Sequence, residues 1–204
     1  MNSYADALES YLIPAEEGFM DVAKKAVSKL VDSIKALIAK IIAWVRERKA
    51  KFLEKNTQSE KSDPGLNRDL HKFVAEYSSM AKYATEIARK MNNYISDPTK
   101  SSYIDDQREI ASEIDKRTRD LNDISSEINE KIESGKRITS SDAKELVDIV
   151  SSKINEIKNL HSIMTQSKST DEVPSERTRY YRLIVHAIIK YADFVMQDID
   201  KATA

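Results

Sequence analysis

The chain has 204 residues, of which 33 are Lys or Arg and 34 are Asp or Glu, so it is densely charged yet carries a formal net charge of −1. Three Gly, four Pro and no Cys leave too few turn residues for a sandwich or barrel, and they exclude a disulfide framework or a thiolate metal site. Long amphipathic helices remain, and the near-neutral balance gives no global nucleic-acid signature.

The first seventeen residues contain Asp6, Glu9, Glu16 and Glu17 but no Lys or Arg, with an apolar cluster at Leu8, Tyr11, Leu12 and Ile13 before Pro14. The opening residues lack the basic start of a secretory signal. Polarity reverses at Glu17-Gly18: over residues 21–55, eight Lys and two Arg stand against four acids, a local charge of +6. Val27, Leu30, Val31, Ile34, Leu37, Ile38, Ile41, Ile42 and Val45 recur at helical spacing, which predicts a basic amphipathic helix within residues 18–55. Between residues 36 and 45 only Lys40 is charged. No stretch reaches the roughly 18 uninterrupted apolar residues of a membrane span.

Residues 56–66 read as a polar linker ending in Pro64-Gly65. A second helix is expected over 67–95, striped by Leu70, Val74, Tyr77, Ala81, Ala84, Ala88 and Met91 and widened by Phe73, Met80 and Ile87. A third, over 103–134, carries a narrow seam of Ile110, Ile114, Leu121, Ile124, Ile128 and Ile132, interrupted by Arg117. Such a seam on a helix about 48 Å long resembles a coiled-coil strand, and self-association follows as an expectation. Gly135 sits where a C′ cap belongs. Asp142 and Glu145 have capping-box spacing at the start of a fourth helix reaching about residue 166. The fifth, from Pro174 or Ser175 to about residue 200, is dense in apolar side chains, which predicts a central position. The fold expected is all-α: an antiparallel four-helix bundle over 67–201, with the 18–55 helix docked as a fifth member or standing off as an arm.

Catalytic and metal signatures are missing. His71, His161 and His186 lie outside any Glu-x-x-His or His-Glu-x-x-His pattern, and His186 is expected to be a partly buried core residue. No Gly-rich phosphate loop or Gly-x-Ser-x-Gly elbow occurs. Carboxylates from Asp105 to Glu133 alternate with Lys and Arg, as on a solvated helix face. Tyr180-Tyr181 beside Arg177, Arg179 and Arg182 could stack on single-stranded nucleic acid, although Tyr180 also fits the core stripe. Neither an enzyme, a metal nor a cofactor is expected. The first helix holds the candidate contacts to DNA phosphates or anionic lipid: Lys24, Lys25, Lys29, Lys35, Lys40, Arg46 and Arg48. Core packing accounts for its apolar face and leaves the cation excess unexplained.

Residues 1–18, Met1-Asn2-Ser3-Tyr4-Ala5-Asp6-Ala7-Leu8-Glu9-Ser10-Tyr11-Leu12-Ile13-Pro14-Ala15-Glu16-Glu17-Gly18, resemble the leader of internal head proteins of large contractile-tailed bacteriophages. That resemblance implies a capsid-targeting peptide and a prohead protease that cuts after a Glu, with a small or aliphatic residue upstream. Ala15-Glu16-Glu17, followed by Gly18, is similar to the small-x-Glu pattern, whereas Ile13-Pro14-Ala15-Glu16 is one residue longer than the aliphatic version. Removing residues 1–17 takes four acids and moves the net charge from −1 to +3. The resemblance implies a non-enzymatic virion or prohead-core protein inside the phage head after assembly in the host cytoplasm. Its partners would be the capsid or prohead core, the prohead protease and, non-specifically, DNA. Two other readings are an effector that binds a membrane surface through 20–55, and a cytoplasmic bundle that binds nucleic acid or protein.

Overall fold

Proline and glycine disfavour helix interiors, and the stretches between them are helical. The computed structural model describes residues 19–54, 61–95, 103–167 and 175–203, with side chains described over 25–52, 61–92, 109–166 and 179–203. Its elements are α1 (Phe19–Glu54), α2 (Pro64–Ile95), α3 (Tyr103–Glu133), α4 (Ser140–Ser167) and α5 (Ser175–Ala202). The architecture is an all-α helical bundle. The leader, with Ala15, Glu16, Glu17 and Gly18, lies outside the described residues.

The helices alternate in direction along the chain, but neighbours in sequence are not always neighbours in space. Arg117 reaches Ser79, and Lys131 reaches Asp69, so α3 runs antiparallel to α2. The Thr85 hydroxyl donates to the Glu156 carbonyl and the Asn92 amide to that of Ile163, which makes α2 and α4 parallel. Tyr191 to Thr118 and Ser125 to Asp198 make α3 and α5 parallel in the same way. Around the bundle the order is α1, α4, α2, α3, α5, with α2 also meeting α5 across the middle. The expectation that consecutive helices pack side by side is corrected here. Periodicity specifies which face of a helix is apolar and is silent about which partner covers it.

Helix α1 is a full member of the bundle. Val27, Leu30, Val31, Ile34, Leu37, Ile41, Trp44 and Val45 are buried on the face that meets α4 and α5. Each such aliphatic side chain contributes roughly 1.5–3 kcal/mol of transfer free energy when buried, so an arm with this face in water would be costly. Ile42, read as part of the stripe, is instead 39% exposed; it shares the outer surface with Ala36, Ala39 and Ala43. The near-uninterrupted apolar run is thus a buried stripe plus a solvent face made mostly of alanine.

The seam of α3 is buried from Ile114 to Ile132 and is used within the chain, against α2 and α5. Arg117, which interrupts it, is accommodated at the edge. Its guanidinium pairs with Glu113 at 2.7 Å, donates to Ser79 at 2.8 Å and lies over the Tyr83 ring. Burial and the neighbouring Glu113 push the Tyr83 hydroxyl up to about 12. As its composition predicted, α5 is the most covered helix: over 179–203 only Arg179, His186, Gln197 and Lys201 are exposed. His186 is therefore a surface residue, which corrects its assignment to the core; its ring falls on the one narrow strip that α1 and α3 leave open.

One end of the bundle gathers the C-termini of α1, α3 and α5 and the N-termini of α2 and α4. Asp63 caps α2, accepting from the Leu66 amide at 2.7 Å. Pro64 then takes the first helical position, where its missing N–H costs nothing, so Pro64-Gly65 opens the helix and is not the end of a linker. The Leu66 amide holds the Asp63 carboxyl below its ordinary value. Helix α4 is capped by Thr139, whose hydroxyl accepts from the Asp142 amide at 3.2 Å. The N-cap lies one turn earlier than the Asp142/Glu145 spacing implied, and the reciprocal half of a capping box is replaced by the Ser62 hydroxyl, which accepts from the Thr139 amide at 2.7 Å. Gly135 has φ +85°, and the amides of Gly135 and Lys136 bond to the carbonyls of Ile132 and Lys131. This is the predicted C′ cap in Schellman form. The Asp63 amide bonds to the Arg137 carbonyl at 2.9 Å, and that of Ile138 to the Ala202 carbonyl at 3.0 Å. These bonds tie the connections of this end together.

Candidate anion-binding face

The cations of α1 divide by the side of the helix on which they fall. Lys25, Lys29 and Lys35 point away from Val27, Ile34 and Ile41 and are exposed, as is Arg46. Lys40 is exposed but bound to Asp193 of α5 at 2.8 Å. Arg48 is drawn inward, with a side chain 18% exposed, and pairs with Asp200 at 2.7 Å. Trp44 Nε1 donates to the same carboxylate, 3.2 Å from each oxygen. Burial raises the Asp200 carboxyl above its ordinary value, against the opposing pull of Trp44 and Arg48. Arg48 and Lys40 therefore fasten α1 to α5, a correction to their assignment as ligand contacts. The side chain of Lys24 lies outside the described residues.

Further cations lie in the same half of the bundle, though not all on one side: Lys90 stands two turns beyond Tyr83, on the α2 edge that meets α3. Lys82, Arg89 and Lys90 are exposed on α2, and Lys158 is exposed on α4. Because α4 runs parallel to α2 and antiparallel to α1, all are brought to the same half of the bundle as Lys25, Lys29 and Lys35. Among the described residues, neither these four nor the three α1 lysines has an ion-pair or side-chain hydrogen-bond partner. Helix α4 also exposes Asn155, Asn159 and Ser162. The exposed acids described in this region are Asp32 and Glu86. Helix α3, beyond α2, is of opposite sign: its exposed face carries seven carboxylates between Glu109 and Glu133 against Lys116 and Arg119. The near-zero net charge therefore conceals an acidic α3 face and an excess of exposed cations on α1.

The other candidates do not assemble into a site. Among the described residues no group of His, Asp and Glu could hold a metal ion. Tyr180 and Tyr181 are buried, and the Tyr181 hydroxyl donates to Asn92 at 3.0 Å, so neither ring is free to stack on a base. An apolar gap of about 10 Å³ between α1, α2 and α4, lined by Ile41, Val74, Tyr77 and Ile154 among others, has room for about one water-sized sphere. Among the described residues no helix is long and apolar enough to cross a membrane.

The convergence of α2 and α4 cations with those of α1 escapes a count made segment by segment, because Lys82, Arg89 and Lys90 are interleaved with buried Ala84, Ile87 and Ala88. A helical projection of residues 68–90 sets Lys82 and Arg89 together on the outer face and Lys90 about 100° away, towards α3. Comparisons with family models, with curated proteins and with solved structures gave no significant match.

Proposed function

We propose that this chain is a non-enzymatic protein packaged in the head of a contractile-tailed bacteriophage, entering the prohead by its leader and losing that leader near Glu17. The observation that carries the reading is the way α1 is used. Its apolar face, Trp44 included, is committed to α4 and α5, and its free cations face outward. That arrangement suits compact cargo. It removes the apolar surface on which a membrane-lying amphipathic helix depends, so the lipid-binding reading loses its main physical support. The leader resemblance adds the destination, and loss of four acids leaves a positive protein suited to confinement with DNA.

Intact-mass measurement on protein recovered from purified virions tests the proposal. The expected species begins at Gly18 or within a residue or two of it. Recovery of the full-length chain from mature particles, or its absence from them, overturns the reading.

A further inference from the structure

We infer that copies of this chain associate head to tail, the outer face of α1 of one copy packing parallel against the outer face of α3 of the next. The apolar seam of α3 is covered within the chain, so the contact uses the opposite side of that helix. It is independent of where the protein resides.

The two faces match in spacing, level and charge. On α1 the line furthest from buried Ile34 and Ile41 is Lys29, Asp32, Ala36, Ala39, Ala43 and Arg46, every one exposed. On α3 the line furthest from buried Leu121 and Ile128 is Glu109, Ser112, Lys116, Arg119, Asp123 and Ser126, again all exposed. Both lines repeat at three and four residues, the spacing at which parallel helices interlock. In that register Ala36, Ala39 and Ala43 stand opposite Lys116, Arg119 and Asp123, so short side chains on one helix make room for long ones on the other. The levels agree because both helices run parallel to α5. Lys40 and Arg48 bond to Asp193 and Asp200 of α5, and Thr118 and Ser125 of α3 meet Tyr191 and Asp198, which places Lys29 level with Glu109 to within about one turn. A second copy turned about an axis along the bundle, and slid by no more than about 5 Å, brings Lys29 to Glu109, Asp32 to Lys116, Lys35 to Asp120 and Arg46 to Glu127. Among the described residues none of these side chains has an ion-pair partner within its own chain. Glu47, level with Glu127, is set against like charge. Packing α1 on α1 would oppose two cation excesses, and α3 on α3 two acid excesses; α1 on α3 pairs opposite signs.

The symmetry and strength follow from geometry. Helix α5 lies between α1 and α3, so each copy offers α1 to one neighbour and α3 to another, a heterologous contact that closes into a ring or runs on. Over the described side chains of α1 the facing strip is about 40 Å long and 10 Å wide, roughly 800 Å² for the two copies together. A stable interface buries about 1,200 Å² or more, so the contact is weak and held by charge. The Debye length falls from about 30 Å at 0.01 M salt to about 3 Å at 1 M, which screens it. A net charge of −1 leaves little overall repulsion to keep copies apart.

Sedimentation velocity of the full chain tests this, from about 10 μM to 1 mM protein in about 0.02 M and 1 M salt. At low salt the weight-average mass should climb above the 23.2 kDa monomer as concentration rises; at high salt it should stay there. K35E/R46E and D120K/E127K should each associate at least about tenfold more weakly than the parent. Their equimolar mixture should recover to within about threefold, because each reversed face meets its opposite on the other variant. K82E/R89E, which shifts net charge as K35E/R46E does but on α2, should associate as the parent does; circular dichroism checks that every variant keeps its helices. The inference is overturned by a parent that stays monomeric throughout at low salt, or by association that survives 1 M salt. It is also overturned by a loss in only one of the two face variants, by an equal loss in K82E/R89E, or by a mixture that associates no better than its components.

Discussion

Ile34 is 0% exposed on the α1 face that meets α4 and α5, and its truncation measures how firmly that helix belongs to the bundle. Ile34→Ala removes three buried carbons, about 2.4 kcal/mol of transfer free energy at roughly 0.8 kcal/mol each. Incomplete collapse of the space left behind adds a cavity contribution, bringing the expected loss to about 3 kcal/mol. For a chain of this size, each kcal/mol moves the melting midpoint by about 2–4 °C, so the variant should melt roughly 6–12 °C below the parent. Far-UV circular dichroism is the assay, because it reports all five helices together. Lys29→Ala, on the exposed side of the same helix, is the control and should shift stability by no more than about 0.5 kcal/mol. If Ile34→Ala leaves the helical transition where it was, α1 is not cooperative with the rest of the fold and the packing argument fails.

Three other expectations follow from particular contacts. Asp198 is 2% exposed, and although Ser125, Lys201 and Asn129 favour its ionised form, burial raises its carboxyl above the ordinary value. Folding therefore favours its protonated form, so the parent should gain stability relative to Asp198→Asn as pH falls from 7 towards 4 in urea titrations; a relative loss would reverse the sign of the argument. Lys131→Met strands the carboxylate of Asp69, which is 5% exposed and among the described residues otherwise has only Arg68 at 3.4 Å; a loss of about 2 kcal/mol or more in chemical denaturation is expected, partly restored in the neutral pair D69N/K131M. Gly135→Ala meets no atom within 4 Å of its new Cβ but must hold φ +85°, so it should cost about 1–2 kcal/mol, and Gly135→Asn less; equal stability of all three would show that the cap relaxes.

The five helices were legible because each break in the pattern has a physical cause. Gly135 marks the end of α3 by its conformational freedom, and the density of apolar residues in α5 foretold its coverage. Pro64 was misread because a proline that opens a helix and one that closes a loop look alike in composition; the distinguishing residue is Asp63, placed to cap the first turn. Partnerships between helices were less accessible. Nothing near Lys40 or Arg48 in sequence announces Asp193 or Asp200, since those pairs span more than 150 residues and exist only once α1 lies parallel to α5. The same reasoning applies to the free cations: Lys82, Arg89, Lys90 and Lys158 share one half of the bundle with Lys25, Lys29 and Lys35 only because α2 and α4 run antiparallel to α1. His186 shows the reverse error: apolar neighbours at Val185 and Ala187 suggested burial, but one position on even a well-covered helix faces water.

Trp44 offers the most direct check on the docking of α1. It is the chain's single Trp, is 8% exposed, and donates to Asp200 across the α1–α5 contact, so its fluorescence reports the docking of α1 on the bundle. In a urea titration the account predicts an indole shielded from iodide in the native state, with an emission change that coincides with the loss of helical circular dichroism. An indole open to quencher in native buffer, or one that titrates well before the helices unfold, would mean that α1 leaves the bundle on its own and that its apolar face is available to other partners.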